Sequence, residues 1–116
     1  MNNKNTTKVN TSDIDTNGTS LIGYVTATYN QLKAILGEAQ CDCGFDKVET
    51  NWDLDINGTV VTIYDWKQSC GGQSHYPDME YHWHLGGHTP EALDVIKELL
   101  TGLQVEGHTP RIPFWV

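Results

Sequence analysis

Val48, Thr50, Trp52, Leu54 and Ile56 alternate with Glu49, Asn51, Asp53 and Asp55. A period of two with one dry and one wet side predicts a half-buried strand. Asn57-Gly58 follows, the favoured pair for a two-residue type I′ hairpin turn, and the return strand is predicted from Thr59 to Trp66. So short a turn fixes the register. Ile56 then faces Thr59, Leu54 faces Val61 and Trp52 faces Ile63, all on the core side. The opposite side pairs Asp55 with Val60, Asp53 with Thr62, Asn51 with Tyr64, and Glu49 with Trp66. Tyr81 to Leu85 alternates again. With Tyr81, Trp83 and Leu85 turned inward, His82 and His84 join Tyr64 and Trp66 on the second sheet face.

Two stretches change period. Thr28 is placed to cap a helix whose apolar face is Tyr29, Leu32, Ile35 and Leu36, with Gly37 as its stop. Thr89-Pro90 combines a capping hydroxyl with proline at the first helical position, and Leu93, Ile96, Leu100 and Leu103 line one face beyond it. A short β-type run, Leu21 to Val25, precedes the first helix. The expected order is β-α-β-β-β-α, a two-layer α+β domain in which helices cover one face of an antiparallel sheet. Trp52, Leu54, Val61, Ile63, Leu32, Ile35, Leu93, Ile96 and Leu100 are its predicted core. Residues 1–18 are Asn-, Thr- and Asp-rich, with too little apolar surface to offset ordering entropy, and read as a flexible tail. The domain spans 19–106. Segments 38–46 and 67–79 read as loops, and 107–116, with Pro110 and Pro113, as an extended end whose Ile112, Phe114 and Trp115 suit docking.

Composition narrows the function classes. The 116 residues carry 15 acidic and 7 basic side chains, a net charge of −8. Phosphate backbones repel such a surface, which argues against direct nucleic-acid binding and favours basic partners. No apolar run is long enough for a membrane span, and the first twenty residues lack the apolar stretch of a secretory signal. Three cysteines, Cys41, Cys43 and Cys70, without a signal point to reduced thiols in a cytoplasm.

Each candidate chemistry in the sequence has a plainer counterpart. Cys41, Cys43, Cys70, His75, His82, His84 and His88 are numerous enough for zinc, but Cys-x-Cys is tighter than the spacing of structural zinc pairs; no metal or cofactor is expected, and an ordinary loop beside a strand with two histidines is the simpler account. Cys70 with His75 lacks any surrounding nucleophile motif, so an enzyme is disfavoured. Asp53 and Asp55, about 7 Å apart by strand rise, alternate as a solvated face does. The aromatic second face, Tyr64 and Trp66 with His82 and His84, is the candidate binding site. Its plainer reading is a second small core, covered by an end of the chain or by a twin subunit in a homodimer.

Tyr29-Asn30 with Leu32 and Leu36-Gly37-Glu38, Lys47-Val48 with Trp52, Thr62-Ile63-Tyr64-Asp65-Trp66-Lys67, and Trp83-His84-Leu85-Gly86-Gly87 together resemble a group of small tailed-bacteriophage proteins of unassigned function. The resemblance covers roughly residues 24–100. Ala39 stands where the group often has proline, and Cys41-Asp42-Cys43 is not general in it. The resemblance implies a phage gene product acting in the cytoplasm of an infected bacterium. With the charge of −8 and the lack of catalytic motifs, the expected function is a non-enzymatic inhibitor of a bacterial protein, a defence factor or host enzyme. An alternative is sequestration of a nucleotide signal, with Lys67 or Arg111 meeting its phosphate; a further one is a zinc-dependent phage enzyme.

Overall fold

The hairpin organises the sheet. A computed structural model describes residues 7–11, 13–41, 50–65 and 78–107. In it β4 (Thr50–Ile56) and β5 (Thr59–Tyr64) pair with Leu54 opposite Val61, Trp52 opposite Ile63 and Asn51 opposite Tyr64. Asn57 at φ 54° and Gly58 at φ 91° are the two left-handed positions that a type I′ turn requires. The Gly58 N–H donates to the Asp55 carboxylate at 2.7 Å. The expected register therefore holds throughout the described part; Val48, Glu49 and Trp66 lie outside it.

The fold is α+β, with a single antiparallel sheet and two helices. The chain order is β1 (Thr7–Val9), β2 (Ser20–Ala27), α1 (Tyr29–Leu36), β3 (Gln40–Cys41), β4, β5, β6 (Tyr81–Gly87), α2 (Glu91–Leu99) and β7 (Gln104–Gly107). Across the sheet six strands run β1-β4-β5-β6-β2-β7, and β3 sits beside β1 on the outer side of β4. Three short strands thus extend the expected order. Residues 7–9 of the segment read as a tail pair with β4, residues 40–41 of the predicted loop do the same, and 104–107 pair with β2. Among the described residues no helix is long and apolar enough to cross a membrane.

One apolar cluster unites Val25 and Ala27 of β2, Trp52, Leu54 and Ile56 of β4, Val61 and Ile63 of β5, and Trp83 and Leu85 of β6 with Tyr29, Leu32 and Leu36 of α1 and Ala92, Ile96 and Leu100 from α2 and its end. Ile35, expected in the core, is 41% exposed, and Leu93 is half-buried. Tyr29, Leu32 and Leu36 already complete the inward stripe of this two-turn helix, which turns Ile35 away. The Thr28 cap is as expected. Its hydroxyl accepts from the Gln31 N–H at 3.0 Å while the Gln31 side chain accepts from the Thr28 N–H at 2.8 Å, a reciprocal capping box. Thr89 is a correction: Pro90 occupies the cap position of α2, no side chain caps it, and Thr89 contributes only its carbonyl, to the Ala92 N–H.

Asn10 closes the gap between β1 and β3. Its side-chain oxygen accepts from the Asp53 N–H at 2.8 Å and from Gln40 Nε2 at 2.9 Å, its amide donates to the Glu38 carbonyl at 2.8 Å, and its own N–H donates to the Asp53 carbonyl at 2.7 Å. One side chain thus takes the place of missing strand backbone along the edge of β4. Its φ of 57° is left-handed, which asparagine tolerates better than most residues. Asn10→Ala is expected to cost about 1–2 kcal/mol in urea unfolding. Asn10→Gly, which relieves the backbone strain but also removes the amide, separates the two causes by losing less.

Candidate binding face

Strand alternation and register build a row across the second face. Glu106 of β7 lies opposite Tyr24 of β2, Tyr24 opposite His84 of β6, His84 opposite Tyr64 of β5, Tyr64 opposite Asn51 of β4, and Asn51 opposite Gln40 of β3. The row spans six strands, and its centre is aromatic. The His84 ring stacks on Tyr64 with centroids 5.4 Å apart and planes at 22°, and meets Tyr24 edge-on at 5.2 Å and 63°. The apolar residues of both helices belong to the core cluster, together with the alternate strand residues that this row leaves out.

Gly86 makes this packing possible. It pairs with Thr62 on the second face, and a β-carbon there would sit 2.6 Å from the Thr62 hydroxyl and 3.5 Å from the edge of the Tyr64 ring. Without one, Tyr64 leans over the glycine and is half-buried. Burial pushes its phenol above the ordinary value of 10.0, so it stays a neutral hydroxyl at physiological pH. Because the folded-state value is raised, the stability tied to it is present below pH 10 and is lost as pH rises through that value.

Next to the row, exposed His82 shares a hydrogen bond of 2.8 Å between its Nδ1 and the Thr26 hydroxyl. That bond fixes the ring beside the aromatic row. Carboxylates stand on either side: Glu106, exposed on β7, and Asp53 on β4, which is held by Asn51 Nδ2 at 3.0 Å. The pairing of Asp53 and Asp55 is structural, since Asp53 braces the β3 edge and Asp55 the hairpin turn. Lys8, whose place opposite Asp55 puts it on this face, forms a 3.0 Å ion pair with Asp13. The Thr11 hydroxyl first, and Lys8 next, lower the Asp13 carboxyl to about 2. The depressed value means that this contribution is present above the ordinary carboxylate pKa and is lost as pH falls from about 4 towards 2. Asp13→Asn should flatten the acid limb of the stability profile there, measured as Tm against pH.

Of the residues singled out in the sequence, the structure brings together Tyr64, His82 and His84. Trp66, Lys67 and Arg111 lie outside the described residues, as do Cys43, Cys70 and His75. His88 is elsewhere, its Nε2 at 3.0 Å from the Asp15 carbonyl. Among the described residues no three His, Cys, Asp or Glu side chains converge as a metal site would require. Two residues escaped sequence reasoning. Tyr24 alternates correctly with Gly23 and Val25, but its neighbours on β6 are some sixty positions away and no local signal names them. Asp65 is fully buried, accepting the Thr50 N–H at 3.1 Å. Continuing the alternation from Val61 and Ile63 would have placed it on the core side.

Comparison of the chain with protein-family models, with curated proteins and with solved structures found no match.

Proposed function

We propose that the chain is a non-enzymatic binding protein of bacteriophage origin that blocks a bacterial protein, a defence factor or host enzyme, by docking the second sheet face on a basic surface. The reading takes the two helices as one layer over the core side, leaving the other side for the partner. The observation that carries it is the Tyr24–His84–Tyr64 row flanked by Glu106 and Asp53. Aromatic rings among polar groups supply large contact area at low entropic cost, and lysine or arginine side chains can lie over tyrosine faces while reaching carboxylates. The net charge of −8 would steer such a partner in. The same charges work against the nucleotide alternative, because phosphate brought to this row meets Glu106 and Asp53, and Lys8, the one cation on this face among the described residues, is committed to Asp13.

Capture from bacterial lysate tests the reading. A stoichiometric host protein should be retained at low salt and released as ionic strength rises, because exposed charges are screened within about 10 Å at 0.1 M. Finding no stoichiometric partner while the bait is folded, or a partner whose retention ignores salt, would count decisively against a charge-guided docking face.

A further inference from the structure

We infer that the chain pairs with a second copy of itself through β7. This strand ends the sheet order, with β2 as its neighbour, and among the described residues nothing pairs along its outer side. Edge strands that stay single are blunted by shortness, charged side chains, proline or a bulge. Gln104-Val105-Glu106-Gly107 is short and carries Glu106, but it has no lysine, proline or bulge, and its one charge finds a partner in a self-pairing.

The sequence of this edge is self-complementary. An antiparallel pairing centred on Val105 sets Val105 against Val105 of the other copy, and Gln104 against Glu106 in both directions. Each glutamate then meets a glutamine amide that can donate to it, not a second carboxylate. The same two groups already approach to 3.4 Å within one chain. A shift of the centre by one position to Glu106 would oppose two carboxylates and is penalised. Val105 and Leu103 are half-buried and pack at the margin of the core, so the pairing also covers apolar surface that one chain leaves partly wet.

The geometry has a consequence for the binding face. Antiparallel edge pairing extends one sheet into the next about a two-fold axis perpendicular to it, the isologous arrangement of a homodimer. The second face of each copy then points the same way. Two Tyr24–His84–Tyr64 rows stand side by side across the new seam, with Gln104 and Glu106 of both chains between them. A dimer built so presents a doubled surface, and two-point attachment strengthens binding without new contacts.

A four-residue strand is a small interface, so association should be weak and visible in sedimentation between ~1 µM and ~1 mM. It should tighten as salt rises, since two chains of charge −8 repel; this is the opposite of the dependence expected for a basic partner. It is also measured with the pure protein, so its failure leaves the proposed function standing and the reverse. Two exposed substitutions at one position give opposite signs. Gln104→Glu places carboxylates opposite Glu106 and should raise the dissociation constant about tenfold; Gln104→Lys places ammonium groups there and should lower it by several-fold. Circular dichroism and Tm confirm that both variants fold. Amide exchange of residues 103–107 should slow with concentration in the natural sequence. A single species throughout the range, or a dimer indifferent to both substitutions, overturns the inference.

Discussion

Replacing Trp52 with alanine should cost about 3–5 kcal/mol, enough to bring a domain of ordinary stability close to unfolding. Trp52 has no exposed surface and stands where the sheet meets α1. Its ring lies 5.6 Å from Tyr29 of the helix and 5.4 Å, edge-on, from Trp83 of β6, while its Nε1 donates to the Gly37 carbonyl at the end of α1 at 2.9 Å. One side chain therefore joins β4, β6 and both ends of α1. Truncation removes one of the two buried indole rings of the core, opens a cavity that its neighbours cannot fill, and leaves the Gly37 carbonyl to water. Trp52→Phe separates these contributions: most of the packing stays, the hydrogen bond goes, and a loss near 1 kcal/mol is expected. Urea midpoints at constant slope provide the measurement. A Trp52→Ala loss below about 1 kcal/mol would mean that the ring is not the junction described.

The parts of this fold that were legible in the sequence are those whose causes are local. Alternation around Trp52 and Leu54, together with Asn57-Gly58, determines a hairpin and its register because the turn admits one pairing. Thr28 and Gln31 define the start of α1 within four residues. The strands β1, β3 and β7 were illegible for the converse reason. Thr-Lys-Val, Gln-Cys and Gln-Val-Glu-Gly are too short to show an alternation of dry and wet positions, whatever the preference of a single Thr or Val; what holds them is the open edge of a neighbour, and the edge exists only once the sheet has formed. The candidate face divides in the same way. The hairpin register named Tyr64, and the alternation of β6 named His82 and His84. Tyr24 required knowing that β2 lies between β6 and β7, a long-range insertion that no local pattern encodes. Thr89 shows the opposite error, since a favourable cap sequence was overridden by the backbone at Pro90, which itself takes the cap position with helical angles.

Tyr64→Ala should weaken capture of the partner by about 2–4 kcal/mol, the range of a central aromatic anchor. Tyr64 is the member of the row with most to lose. It stacks on His84, leans over Gly86 and is half-buried before any partner arrives, so its conformation is already fixed and little entropy remains to be lost on binding. Tyr24 meets the other side of the same imidazole, and Tyr24→Ala should show a smaller loss of the same kind. Because both rings bracket His84, their effects should be non-additive, the double variant losing less than the sum. Tyr64→Phe is the discriminating control. The ring, its stacking and its cover over Gly86 remain, while the hydroxyl is lost; retention of nearly full affinity would assign the contact to the aromatic surface, and a loss as large as that of alanine would assign it to a hydrogen bond from the neutral phenol. Folding must be followed in parallel by urea titration. If Tyr64→Ala destabilises the domain as severely as Trp52→Ala and leaves partner affinity unchanged in the folded fraction, the row is a second small core, and the docking face must be sought elsewhere.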